Sequence, residues 1–565
     1  MKFEGRKFSI IIAAFCCCLG CDSENNQDLK TEKIAAGAFV DVTQKSGVQF
    51  LHDPNRDEYF MPASMASGGA FLDFDNDGDL DILLIATSLE ANGGKEQMTR
   101  LYRQDVPWTF SDVTSTSGLE ETGYSIGVAA GDINNDGFAD IYISNYGADF
   151  LYQNNGDGSF SNISKSAGIT NEAWSASCLF FDANYDGFLD IYVTNYLAYN
   201  PKVICSDQAG RRDYCGPGSF PGVADKLYLN NGDLTFRDAS QTSGIARVTS
   251  KGLGVVSADF NDDGFPDIYV ANDGEPNNLW MNQGKGKFVD EAVTRGAAIN
   301  SLGRAEASMG IAVGFLSENK TPDLFITHLR GESNTLYRAA SNNSYFDETR
   351  KARLHGLSLQ YTGFGTGFFD YDHDGDLDLA VVNGRVVRGP LIEATPSNSF
   401  WPPYAEPNML LENNGNNQFL EIGNMAGGFS KPVETSRGLA FGDVDNDGDI
   451  DLLVTNAGAP ARLYRNDAPK KGGWLTVRAI DPPLNRDAIG AVITVFIENG
   501  KTLRRLVQPG YSYLSSNDVR AHFGLGQTQK IERVCVQWPG GEEECFSGID
   551  INQFVTLRKG DGKSE

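Results

Sequence analysis

Histidine is scarce in this chain: there are five among 565 residues (His52, His328, His355, His373 and His522), and none stands in a His-Glu-x-x-His spacing. No glycine-rich phosphate loop occurs and no nucleophile sits in an evident catalytic arrangement, so the usual enzyme signatures are missing. Positive charge is short as well: 47 Lys and Arg face 75 Asp and Glu, for a formal net charge of −28. Nucleic-acid binding needs basic patches that replace counterions, and this balance argues against it. The one apolar stretch near the N-terminus, Phe8 to Leu19, is too short for the ~20 residues that span a bilayer.

That stretch follows a basic segment (Lys2, Arg6, Lys7), and together they predict a signal peptide over residues 1–20. It ends Cys18-Leu19-Gly20-Cys21, which resembles a bacterial lipobox with Cys18 where Leu is usual. The resemblance implies lipidation at Cys21, a polar tether over 21–36, and a cell-envelope lipoprotein held at the membrane; a plain secretory peptide is the alternative. Beyond Cys21 only five cysteines remain. Cys205 and Cys215 flank one insertion, and Cys535 and Cys545 flank a Trp-Pro-Gly-Gly turn, so both pairs are expected to be disulfides. Cys178 aligns with apolar residues of other repeats and is expected to be a buried free thiol.

What the chain does have is repetition. One unit runs through small apolar residues with Gly, an Asp-rich loop, a β-branched run, a Leu-Tyr-x-Asn turn, and Phe-x-Asp-x-(Ser/Thr)…Gly. The loop recurs from Asp73, Asp132, Asp182, Asp259, Asp370 and Asp443, with a degraded copy from Phe315, giving seven repeats. Each unit holds about four short strand patterns, and repeated four-stranded units arranged radially are propeller blades. The expected fold is therefore all-β: a seven-bladed β-propeller over 37–468, then a small sandwich- or barrel-like all-β domain over 472–560. Phe39–Thr43 precedes the first loop while the last repeat runs out near Asn466, which predicts that the N-terminal strand completes the last blade.

The loop carries the strongest chemical signal. Asp73, Asp75, Asp77 and Asp81 offer oxygens at positions 1, 3, 5 and 9, and Gly78 at 6 allows the turn that aims the Asp79 carbonyl inward. The same pattern gives Asp132/Asn134/Asp136/Phe138/Asp140, Asp182/Asn184/Asp186/Phe188/Asp190 and Asp259/Asn261/Asp263/Phe265/Asp267, where Phe contributes its carbonyl. The remaining two are Asp370/Asp372/Asp374/Asp376/Asp378 and Asp443/Asp445/Asp447/Asp449/Asp451. Calcium takes six to eight oxygens in flexible geometry, so about six structural Ca²⁺ ions are expected. The copy at Phe315–Asp323 has Lys320 in place of Gly and is expected to be empty. His373 is expected to face solvent from its loop.

Residues from about Phe39 to Asn466 resemble FG-GAP/VCBS propellers such as integrin α-subunit heads. Asn485–Ala491, Gly510–Asn517, His522–Gly526 and Val536–Gly541 resemble the ASPIC/UnbV domain of the cartilage acidic protein family. The resemblance implies a calcium-binding extracellular protein of adhesive or matrix character. Two polar clusters in that domain, Arg486/Asp487 and Asn517/Asp518, read either as a structural network or as a ligand site.

With no catalytic set, a noncatalytic cell-surface binding, adhesion or scaffold protein is the leading reading. Its partner is expected to be an extracellular protein or glycan, its membrane contact only the lipid anchor, and its state a monomer. The alternative is a polysaccharide-active protein, a lyase or carbohydrate-binding accessory, using aromatics in the insertions at Leu197–Asp225 and Val386–Pro407: Tyr214, Phe220, Trp401 and Tyr404. Both insertions are expected on one face, forming a partner or glycan site; equally, one caps the channel and the other packs on the C-terminal domain.

Overall fold

The computed structural model describes residues 37–52, 59–65, 67–86, 99–119, 123–392 and 400–564. The signal segment, the tether and Cys21 lie outside the described residues. No helix among the described residues is long and apolar enough to cross a membrane.

Residues 69–466 and the N-terminal strand build seven four-stranded antiparallel sheets among the described residues. In blade 2 the strands are Tyr124–Gly131, Asp140–Tyr146, Phe150–Asn154 and Phe160–Asn162, and the others repeat this order. The inner two strands are apolar on both faces because a neighbouring blade lies on each side. The outermost strand buries only its Phe, so Phe160 is inside while Ser161 and Asn162 are exposed. The repeat's Phe-x-(Asp/Asn)-x-Ser piece then turns the chain: Asn162 Oδ1 accepts from the Ser164 amide at 3.0 Å, and Ser164 Oγ accepts from Leu151 N at 2.8 Å.

Innermost strands touch their neighbours all the way round, Gly69–Leu72 meeting both Tyr124–Gly131 and Ser436–Gly442. Phe39–Asp41 pairs with Arg462–Asn466 as the outer strand of blade 7, so the two ends of the repeat region share one sheet. Side-chain amides staple one blade to the next. Asn154, Asn230, Asn282 and Asn466 each donate Nδ2 to the second-position carbonyl of the preceding blade's loop (Phe74, Ile133, Ala183 and Tyr371) at 2.8–2.9 Å. At the closure Gln104 does the same to Val444 O at 2.9 Å. Blade 5 has Ala339 at this place, and Asn343 reaches Asn261 O instead, at 2.5 Å.

The C-terminal domain is two sheets around their own core. One centres on Gly473–Asp481, paired antiparallel with Ala521–Gly526 and parallel with Gln553–Arg558; the other has five strands including Val492–Ile497 and Ile531–Gln537. Between them lie Leu475, Ile493, Val495, Phe523, Val534 and Trp538. Cys535–Cys545 bridges adjacent strands here, Cys205–Cys215 bridges the first insertion, and Cys178 is free and buried.

This domain is not a bead on a string. Its segment 509–518 enters the propeller channel and bonds to inner strands of six blades. Ser512 exchanges backbone bonds with Ile311 (2.8 and 3.0 Å), Ser516 with Gly69 and Phe71 (3.2 and 3.1 Å), and Asp518 N donates to Phe441 O at 2.9 Å. Val128 N donates to Leu514 O at 3.2 Å, Leu514 N to Ser177 Oγ at 3.1 Å, and Thr366 N to Ser512 Oγ at 3.0 Å. The inner edge of a blade presents backbone groups with no strand beside them, and this segment pairs with such groups on blades 1, 2, 5, 6 and 7. From the opposite side the helix Met61–Met65, wholly buried, fills the channel, and Tyr513 Oη donates to Met65 O at 3.1 Å. Arg437, 0% exposed, ties that helix down through Ser64 O at 2.6 Å and sits over the Phe364 ring.

Candidate metal centres

All six Asp-rich loops join the first and second strands of their blades, so they line one face, the face the C-terminal domain covers. Within each loop the first Asp accepts the amides of positions 5 and 6, as Asp73 does from Asp77 and Gly78 (both 3.1 Å) and Asp443 from Asp447 and Gly448 (3.1 and 2.8 Å). Position 6 has φ between 88° and 94° in all six, which only glycine adopts freely. The position-5 Asp accepts the amide of position 7, so Asp79, Phe138, Phe188, Phe265, Asp376 and Asp449 all sit on the turn at 2.9–3.0 Å.

The ninth residue plays a second part. Asp81, Asp140, Asp190, Asp267, Asp378 and Asp451 each accept a third-strand amide at 2.7–2.8 Å, latching the loop to its sheet. Asp323 of blade 5 keeps this latch to Ala339 at 2.7 Å although its loop has lost the other acids. There Arg338 meets Asp323 at 3.2 Å and Lys320 meets Asp262 of blade 4 at 3.2 Å, so positive charge is supplied from within the chain.

The six loops divide at position 3. In blades 1, 6 and 7 it is Asp, and the carboxylates Asp73/Asp75/Asp77, Asp370/Asp372/Asp374 and Asp443/Asp445/Asp451 converge to within 4.8 Å. One oxygen of Asp75, Asp372 and Asp445 is buried with no hydrogen-bond partner. A buried carboxylate oxygen without a donor is costly, and a hard cation of calcium's size is what this donor set suits. In blades 2, 3 and 4 position 3 is Asn, and Asn134, Asn184 and Asn261 each donate Nδ2 to the position-5 Asp (Asp136, Asp186, Asp263) at 2.8 Å. Those loops satisfy themselves more fully. Burial is the main cause pushing first-position carboxyls up, Asp73 and Asp132 to about 6, Asp370 to about 7 and Asp443 to about 8. Burial likewise raises Asp182 and Asp259.

The C-terminal domain rests on these loops. Gly526 N donates to His373 O at 3.0 Å, Arg520 to Asp443 O at 3.0 Å, and Arg486 to Gly187 O at 3.3 Å. Gly524 passes so close to blade 6 that a Cβ there would lie 2.0 Å from Asp370 Oδ2. The expectation that His373 faces solvent is corrected: it is 1% exposed, 3.2 Å from Asp449 and 5.2 Å from the His522 ring, because the covering domain closes over it.

The insertions leave second strands and so emerge on the opposite face, together. Tyr404 Oη donates to Asp213 at 2.5 Å and Arg388 N to the same carboxylate at 3.1 Å. Their aromatics do not make a sugar platform. Tyr214 (4% exposed), Trp401 (4%) and Tyr404 (0%) pack with Phe400 and Tyr59, and Phe220 (6%) packs on Tyr199 over the channel. The rings meet one another, so they cap the channel rather than present faces to a ligand.

Sequence reasoning missed the inter-blade amides and the channel segment. The first had a signal, the Asn that closes each Leu-Tyr-x-Asn turn.

An FG-GAP-like repeat profile matches residues 73–143, 133–193, 207–270 and 259–314, and an ASPIC and UnbV profile matches 481–564. Cartilage acidic protein 1 of Mus musculus is 23% identical over 509 residues, 85% of this chain and 71% of that protein. The Homo sapiens protein of the same name is 22% identical over 509 residues, covering 85% and 70%. Among solved structures, an Agrocybe aegerita lectin described as recognising non-reducing terminal N-acetylglucosamine is similar at TM-score 0.38 and 14% identity, over 70% of this chain and 86% of that one. That likeness carries no ligand over to this chain. The chain thus carries FG-GAP-like repeats followed by an ASPIC and UnbV domain, and over 85% of its length it is similar to cartilage acidic protein 1.

Proposed function

We propose that this protein is a noncatalytic binding protein of the cell exterior, with calcium in its propeller loops and a lipid anchor at Cys21. The observation that carries the reading is the unpartnered, buried oxygen on Asp75, Asp372 and Asp445, each within a set of converging carboxylates. In each loop positions 1, 3, 5 and 9 and the position-7 carbonyl would hold the ion, which adds positive charge to carboxylate clusters that the chain's own lysines meet only in part, Lys471 at Asp372 and Asp374 of blade 6 and Lys470 at Asp449 of blade 7. The channel, a usual place for propeller chemistry, is filled from both ends by Met61–Met65 and residues 509–518. What remains for partners is outer surface, which suits adhesion or scaffolding. A polysaccharide-active role loses the aromatic platform it needed, since those rings are buried. Elemental analysis of the purified chain, paired with melting in EGTA, tests the reading: retained calcium and a lower melt support it, and neither would end it.

A further inference from the structure

The metal loops are joined to one another, and the joint repeats from blade to blade. Position 4 lies in the left-handed region in all six, with φ between 56° and 62° at Asn76, Asn135, Tyr185, Asp262, His373 and Asn446. Asn tolerates that backbone, whereas Tyr and His keep it only when something outside the residue holds it. Each of these side chains reaches position 6 or 7 of the next blade's loop. Asn76 Nδ2 donates to Gly137 O at 2.8 Å, Asn135 Nδ2 to Gly187 O at 3.1 Å, and Tyr185 Oη to Gly264 O. His373 stands 3.2 Å from Asp449, and Asn446 Nδ2 donates to Asp79 Oδ1 at 3.2 Å. Asp262 extends the pattern to Lys320 of the degraded loop, also at 3.2 Å. There the series stops: Glu318, at position 4 of blade 5, is exposed, and among the described residues no hydrogen bond or ion pair joins its side chain to loop 6.

The six metal loops therefore form one open series in the order 6, 7, 1, 2, 3, 4. Its halves coincide with the two donor types, since loops 6, 7 and 1 carry Asp at position 3 and loops 2, 3 and 4 carry Asn. The C-terminal domain holds two of the links from above. Arg520 Nη1 donates to Asn446 Oδ1 at 2.7 Å and Arg486 Nε to Asn135 Oδ1 at 3.0 Å, so each amide is turned with its Nδ2 toward the next loop.

Positions 6 and 7 belong to the turn that closes around an ion. Ionised carboxylates with no cation among them repel and oppose that closure. An ion holds the turn closed and so fixes the acceptor that the preceding loop's position 4 needs. The preceding loop then closes at less cost, which is a coupling between sites that needs no contact between the ions.

We propose that the six loops take up calcium as a coupled array, each ion raising the affinity of the loops beside it, so that occupancy changes over a narrower range of calcium than independent sites allow. The proposal rests on the calcium reading of the loops.

The test is calcium titration of the full mature chain, stripped with EGTA and held at a temperature where circular dichroism shows it still folded. Calorimetry gives the binding curve and native mass spectrometry the number of ions. Binding should be steeper than a single-site curve, with a Hill coefficient above unity. Asp447→Asn keeps the oxygen that accepts Asp449 N at 2.9 Å and removes a charged ligand from loop 7. It should lose that ion and raise the calcium needed by loops 6 and 1 about two- to tenfold, the worth of one hydrogen bond, while loops 2, 3 and 4 titrate as before. This restriction to neighbours separates a link from a general loss of stability. Asn76→Gly keeps the left-handed turn and removes the link between loops 1 and 2, so six ions should still bind but at higher calcium. Asn417→Gly, at φ 54° in an outer turn, should change nothing. Six ions bound independently overturn the proposal and leave the calcium reading standing. So does an Asp447→Asn chain that loses one ion with the other five unaffected, or an Asn76→Gly curve that matches wild type or the Asn417→Gly control. A chain that binds no calcium overturns both.

Discussion

Replacing Asn154 by Ala should cost this fold far more than a turn residue ordinarily would. Its side chain is 1% exposed and makes three bonds: Nδ2 to Phe74 O at 2.8 Å, Nδ2 to Ala139 O at 3.1 Å, and Oδ1 from Gly156 N at 3.0 Å. The first crosses from blade 2 to the metal loop of blade 1; the others tie down its own loop and turn. Alanine removes all three, and it leaves the buried Phe74 carbonyl and the half-buried Ala139 carbonyl without their donor. Each buried group left unpaired costs about 1–3 kcal/mol, so the total is on the order of 2–5 kcal/mol. At roughly 2–4 °C of melting temperature per kcal/mol, this gives a fall of about 4–20 °C. Asn282 has the same three bonds, at 2.9, 3.0 and 2.9 Å, and Asn282→Ala should match it. Calorimetry at fixed free calcium reads both. A melt within a degree of wild type, or a large loss at one site and none at the other, would refute the staple.

Further outcomes follow from the loops and the core. Burial raises the first-position carboxyls in the metal-free fold, Asp73, Asp132, Asp370 and Asp443 to about 6 to 8, above an unfolded value of ~3.9, so the folded state binds extra protons in between. Stability of the EGTA-treated chain should therefore fall as pH rises from 5.5 to 8, while added calcium, which needs ionised ligands, should abolish or reverse that slope in thermal melts. Graded chelation followed by native mass spectrometry should remove calcium in two groups, the Asn-containing loops of blades 2, 3 and 4 first and the Asp-containing loops of blades 1, 6 and 7 last; a single undivided loss would contradict the position-3 argument. Cys178 is buried, and burial raises its thiol pKa, so iodoacetamide should label it only after denaturation.

The loops were legible because their information is local: nine residues with Gly at the sixth place state both the turn and the donor set. The blades were legible for the same reason, each strand pattern closing on a nearby turn. What the sequence could not show depends on distant partners. The Gly510–Asn517 stretch could be matched to a family, but its bonding partners lie in six blades, and Tyr513 meets Met65 across 448 residues. His373 looks exposed within its own loop, and only the domain docked above it makes it buried. Tyr214, Phe220, Trp401 and Tyr404 show the converse: an aromatic-rich insertion reads equally as a ligand platform or as a cap. Their mutual packing, which decides it, requires both insertions to be folded together.

The central claim is that calcium in the propeller loops holds this structure together, and metal counting tests it most directly. Elemental analysis of the mature chain, dialysed against millimolar calcium and then against metal-free buffer, should give six calcium ions per chain before exhaustive chelation. Each site saturated a hundredfold adds roughly 2.7 kcal/mol to the native state. EGTA should accordingly lower the melting temperature by many degrees, and a chain that retains no calcium and melts unchanged in EGTA would contradict the claim.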